Sequence, residues 1–299
     1  MGRIFDVRKT TVKQDLIMKK RIEYILTGIL VMLVLPCAMM LLLDGRMSEI
    51  YRSIKNETDY ITVKTNSGAL EMELEEYVIG VTAAQIPAGY DLEAVKAQMV
   101  AARTNLYRQI EADGKVESGA YLTMTELERM GSAEKFLRAQ RETRGQVLEW
   151  EGRPILASFH ACSAGNTRDA KEVLRTEEYP YLVSKVCPSD TGAADAETTL
   201  QIDSSWADMQ ITERDSTGYV LQISLDGKTM SGEEFRNLLG LPSANFEVST
   251  TGGETWLTVH GIGHGLGMSQ YTAQQMALTG KDYKEILAYF YPGTDLIKY

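Results

Sequence analysis

Two short segments concentrate the side chains able to do chemistry. One is Phe159 to Thr167, with His160, Cys162, Ser163 and Asn166; the other is Gly261 to Tyr271, with His264, Ser269 and Gln270. A serine and a histidine in one loop can form a nucleophile and its base, here Ser163 and His160. His160, Cys162 and Cys187 are together the ligand types of a zinc site, although three scattered donors are a weak zinc pattern. The second segment has glycine at 261, 263, 265 and 267, around His264. Such spacing lets the backbone adopt conformations closed to other residues and lets a second group approach closely. It reads either as a tight packed turn with a buried histidine, or as a polar cleft wall presenting His264, Ser269 and Gln270. There is no GxSxG elbow, HExxH helix or phosphate loop ending in GKS or GKT, and the glycine run does not fit GxGxxG.

The elements that position these residues follow from periodicity. Tyr60 to Lys64 and Ala69 to Leu74 alternate about Asn66-Ser67-Gly68, which predicts a hairpin. Glu75 to Ala84 reads as a helix ending before Pro87. Asp91 opens the clearest helix, with Leu92, Val95, Met99, Ala102, Leu106 and Ile110 on one stripe and Gly114 as its stop. Thr125 to Thr143 is expected to be helical, followed by strands at Gln146 to Trp150 and Pro154 to Phe159. Strands are expected at Tyr219 to Leu225 and Trp256 to His260, with a helix at Gly232 to Leu239 between them. Met268 to Leu278 and Tyr283 to Tyr289 close the chain as helices. Helices and strands mix without a βαβ rhythm or internal repeat, so the fold class is α+β with a substrate cleft.

Ahead of this domain, Ile25 to Leu43 is an uncharged run of 19 residues, long enough to cross a bilayer core. Seven Lys or Arg precede it against three acidic residues. The positive-inside rule then leaves residues 1–24 as a basic cytoplasmic tail, 25–43 as one transmembrane helix, 44–59 as a linker and 60–299 outside the cytoplasmic membrane. The basic segment is long for a signal peptide and no small-x-small site follows Leu43, which favours an uncleaved anchor. Removing those flanks from the 31 basic and 41 acidic residues leaves 24 against 38. So acidic a surface argues against nucleic acid as partner. Cys162 and Cys187 would both lie outside, where a disulfide is permitted; a bridge and two buried thiols are both open.

Taken together, several segments resemble the stage II sporulation protein D and amidase-enhancer family. They are Glu76 to Pro87 (EYVIGVTAAQIP), Glu93 to Thr104 (EAVKAQMVAART), His160 to Thr167, Pro180 to Ser184 (PYLVS), Gly263 to Tyr271 (GHGLGMSQY) and Tyr283 to Gly293. The resemblance runs in order from about Tyr60 to Tyr299. It implies a lytic transglycosylase acting on denuded peptidoglycan strands, a partner amidase and membrane proteins of the engulfment machinery as associates, and no required cofactor. In that chemistry one glutamic acid protonates the glycosidic oxygen, then acts as base while the muramic acid 6-hydroxyl closes a 1,6-anhydro ring. The resemblance implies that Arg103, His160, Ser163, His264, Ser269 and Gln270 line the glycan groove. It places the catalytic glutamate at position 85, where this chain has Gln85. An amide donates hydrogen bonds but cannot transfer a proton. The expectations are therefore an enzyme using another acid, such as Glu75 or Glu76, or an impaired glycan-binding protein that supports an amidase.

Overall fold

The computed structural model describes residues 60–299, apart from 66, 67, 115, 118, 204, 205 and 207. The expected membrane run lies outside these residues; among the described ones no helix is long and apolar enough to cross a membrane. The fold class is α+β.

The expected hairpin is present as β1 (Tyr60–Thr65) antiparallel to β2 (Gly68–Glu73). It leads into α1 (Leu74–Gln85), which stops where Pro87 forbids another turn. Helix α2 (Leu92–Asp113) begins at Asp91, whose side chain accepts from the Glu93 N–H, and ends at Gly114 in the left-handed conformation. Its apolar stripe is core, with Val95 and Met99 fully buried. β3 (Val116–Glu117) then pairs parallel with β1.

The single helix expected over Thr125 to Thr143 is two. α3 (Met124–Arg129) opens with a Thr123/Glu126 capping box, and α4 (Ala133–Thr143) follows after Gly131, whose φ of 66° ends the first helix. β4 (Gln146–Trp150) is as expected. The predicted strand at Pro154 to Phe159 is instead two fragments, β5 (Arg153–Pro154) and β6 (Phe159–His160). Between them Asn105 hydrogen-bonds both N–H and C=O of Ala157, so this backbone is satisfied by a side chain rather than a ladder.

After α5 (Ala170–Leu174) the chain builds a lobe with its own core. It contains β7 (Glu197–Ile202), β8 (Gln210–Arg214), β9 (Val220–Leu225), β10 (Lys228–Ser231), α6 (Gly232–Leu239), β11 (Phe246–Thr251) and β12 (Glu254–His260). Two three-stranded sheets, ordered β10-β9-β8 and β11-β12-β7, close on Val220, Ile223, Phe235, Phe246 and Leu257. The chain returns through β13 (Met268–Ser269), parallel to β6, into α7 (Gln270–Leu278) and α8 (Tyr283–Phe290). β14 (Asp295–Lys298) completes the sheet beside β4. The predicted start of the penultimate helix thus moves from Met268 to Gln270, because Met268 and Ser269 pair with Phe159 and His160.

Candidate functional site

The two chemistry-bearing segments lie side by side. Cys162 bridges Ile262, Arg168 bridges Leu266, and β6 pairs with β13. Their closeness depends on the alternate glycines, all four of which have positive φ. At Gly267 a Cβ would lie 1.9 Å from the Ser158 carbonyl oxygen, and at Gly263 2.6 Å from the His160 Cβ. Only the absence of side chains lets the loops touch.

Asp190, fully buried at the start of a one-turn 3-10 helix (Asp190–Gly192), fastens them together. One carboxylate oxygen accepts from the Ser163 N–H (2.6 Å) and Oγ (2.7 Å); the other accepts from Ser269 Oγ (3.0 Å) and Thr272 Oγ1 (2.6 Å). Ser163 is therefore bound to a carboxylate rather than to His160, and its hydroxyl is committed as a donor. Cys162 and Cys187 are free, buried thiols. Burial and then the Asp190 carboxylate push each up to about 11, so both stay protonated at neutral pH.

The two histidines bracket the Leu266 peptide groups, their rings 5.9 Å apart. The His160 Nδ1–H donates to the Leu266 carbonyl (3.1 Å), and the Leu266 N–H donates to His264 Nδ1 (3.0 Å). This fixes opposite tautomers, Nδ1–H in His160 and Nε2–H in His264. Burial, with the neighbouring His264, pushes His160 down to about 3, and burial also lowers His264. Both are neutral at neutral pH. The buried Nε2 of His160 has no partner among the described residues. Among those residues no group of three His, Cys, Asp or Glu is arranged to hold a metal ion.

Position 85 ends α1, and its side chain is half-buried. Three glutamines from three helices meet there. Gln98 Nε2 of α2 donates to Gln85 Oε1 (3.0 Å), while Gln270 Nε2, at the start of α7, donates to the Gln85 carbonyl (2.8 Å) and to Gln98 Oε1 (3.1 Å).

Arg103, expected at the ligand, is placed in the interior. It is fully buried and doubly hydrogen-bonded to Glu75, with both contacts 2.8 Å. Gln140 and the Gly145 N–H complete the carboxylate's partners. Burial alone would raise the Glu75 pKa, but the Arg103 guanidinium and these hydrogen bonds outweigh it and hold it below its ordinary value. Glu75 is thus ionised and has no proton to give. Glu76 is exposed and lies nine residues before Gln85. At 100° and 1.5 Å per residue that is about 13 Å away along the axis and on the opposite helix face. Neither carboxyl group lies beside the Gln85 side chain's amide partners.

Sequence reasoning passed over Gln98, Asp190, Thr272 and Arg168. Gln98 could have been flagged as a polar residue inside the buried stretch of α2; Asp190 opens a single 3-10 turn, too short to leave a periodic pattern. Arg168, 1% exposed, donates to Asp215 and Glu233 (both 2.6 Å) and to the His264 carbonyl, and lies over the Tyr219 ring. It ties the second lobe to the back of the site.

These features define a class: a two-core α+β domain in which paired loops, clamped by one buried carboxylate, lie beside three convergent amides. The family described as Stage II sporulation protein matches residues 63–150. The stage II sporulation protein D of Bacillus subtilis (strain 168) is 34% identical over 262 residues, covering 77% of this chain and 76% of its own. That of Bacillus amyloliquefaciens is also 34% identical, over 78% and 76%. The amidase enhancer of Bacillus subtilis (strain 168) is 27% identical over 74% of this chain and 40% of its own length. This chain belongs to the stage II sporulation protein D family.

Proposed function

We propose that this protein binds peptidoglycan glycan strands during the wall remodelling of spore engulfment, without supplying the general acid of a lytic transglycosylase. The observation carrying this reading is Gln85 at the position the family resemblance assigns to the catalytic glutamate, with Glu75 sealed in an ion pair and Glu76 on the far face of its helix. A site with its loops clamped and its amides ordered, but an amide in place of a carboxyl group at position 85, suits recognition rather than glycosidic cleavage. The similarity to an amidase enhancer supports a role in presenting strands to a partner amidase. The apolar run at 25–43 would tether the domain to the outer face of the cytoplasmic membrane, limiting its reach to the wall beside it. No cofactor is required for binding of this kind.

The test incubates the full-length chain, and its Gln85→Glu variant, with denuded glycan strands and seeks 1,6-anhydro ends by mass spectrometry. Binding without product from the natural sequence is expected, with any product confined to the variant. Robust product from the natural sequence would overturn the proposal.

A further inference from the structure

An amide has one acceptor end and one donor end, so a chain of amides is ordered by whichever partner cannot be reversed. At this site that partner is the Gln85 backbone carbonyl, which only accepts. It fixes the nitrogen end of Gln270 toward itself. The same nitrogen donates to Gln98, which fixes the oxygen end of Gln98 toward Gln270. The nitrogen of Gln98 must then face Gln85, and it holds the Gln85 oxygen inward. Gln98 is fully buried and Gln270 is 4% exposed, so water does not compete for these bonds. What remains is the Gln85 Nε2, two N–H donors on a half-buried side chain with no protein partner among the described residues.

We propose that Gln98 and Gln270 are positioning residues that lock Gln85 as a hydrogen-bond donor, so that this point of the cleft takes an acceptor oxygen of a glycan. The proposal rests on the glycan reading above, and it assigns the polarity of the contact. Without the lock, Gln85 could turn either end outward and would present its nitrogen only part of the time. Gln270, expected to meet the ligand itself, acts through Gln85 instead.

The Gln98→Glu variant reverses the chain. Its carboxylate accepts from Gln270 and now also from Gln85, turning the Gln85 nitrogen inward and its oxygen toward the ligand. When protonated, the new carboxyl group can again donate to Gln85 while its carbonyl accepts from Gln270, and the native order returns. Affinity of the full-length chain for denuded glycan strands should fall about tenfold at pH 7.5, the worth of one buried hydrogen bond. It should recover toward the unsubstituted value by about pH 5, because burial moves protonation of the new carboxyl group above the ordinary value of a glutamic acid, about 4.3. Equal loss at both pH values would mark a merely structural role and overturn the proposal, as would unchanged affinity. A second measurement reads the lock without ligand. In the ¹⁵N-glutamine-labelled chain, the Gln98 side-chain amide should exchange slowly with deuterium and that of Gln85 quickly, and Gln98→Glu should slow Gln85. A protected Gln85 amide in the natural chain overturns the lock. Failure of the natural chain to bind strands, with the exchange pattern as expected, overturns instead the glycan reading.

Discussion

Ser163 and Ser269, from segments more than one hundred residues apart, hydrogen-bond opposite oxygens of one buried carboxylate, that of Asp190. This shared acceptor holds the two loops of the candidate site in register. It is a buried charge neutralised by donors alone, four of them, with Thr272 Oγ1 and the Ser163 N–H beside the two hydroxyls.

Asp190→Asn keeps the shape but turns one acceptor oxygen into an N–H₂ group facing donors. Leaving buried donors unpaired costs about 1–3 kcal/mol each, so a loss of about 2–4 kcal/mol in urea unfolding is expected. Glycan affinity should fall with it. An unchanged midpoint would show that the carboxylate is not the clamp.

The Glu75–Arg103 pair should behave as a buried ion pair whose halves are unequal to live without. Arg103→Met leaves the Glu75 carboxylate stranded and should cost about 3–5 kcal/mol in denaturant unfolding. Because the folded pKa of Glu75 lies below its ordinary 4.5, its contribution is full above that pH. It is lost as acid carries the solution down through the folded value. Glu75→Gln should therefore flatten the part of the stability curve below about pH 4.5, measured by unfolding at a series of pH values.

His160 acts on a higher part of the same curve. Unfolding releases it from burial, so its pKa returns from about 3 to the ordinary 6.5. The unfolded state thus binds the extra proton between those values, and stability declines as pH falls from 6.5 toward 3. At pH 5 the decline is about 2 kcal/mol, from 1.36 kcal/mol per unit. NMR titration of the imidazole should show it neutral at pH 5; a pKa near 6.5 would sink this account.

Two glycines with positive φ should answer differently to alanine. Gly267 has φ of 70° and its Cβ would sit 1.9 Å from the Ser158 oxygen, whereas Gly280, at 92°, has open space. Gly280→Ala should cost about 1–2 kcal/mol in backbone strain alone. Gly267→Ala should cost about 3 kcal/mol or more, because the β6–β13 pairing must open. Thermal unfolding of the two variants compares them directly.

Much of the domain was legible where local chemistry decides local structure. Asp91 and Gly114 bound a helix because one caps a first turn and the other adopts a left-handed stop, and the alternation on either side of 66–68 gives the paired strands β1 and β2. The four alternate glycines announced a close approach before its partner was known. The break at Gly131 was readable in principle, but the flanking residues are good helix formers and masked it. Most strands of the second lobe were missed, since β8 and β11 are half-exposed, polar and short, and gain stability only from neighbours distant in the chain.

The sequence by itself determined most of the helices, though neither the break at Gly131 nor the short helix Ala170–Leu174, together with the glycine-rich segment, the candidate residues and the amide at position 85. These are properties of residue types and of spacings within a few turns. Tertiary structure alone decided which of those residues meet. It sent Arg103 to Glu75, Ser163 and Ser269 to Asp190, and Gln270 to Gln98 and Gln85. The reason is that a hydrogen bond buried between distant segments leaves no periodic trace in the chain. Its partners are chosen by how the helices and loops pack, and only then by which donor finds which acceptor.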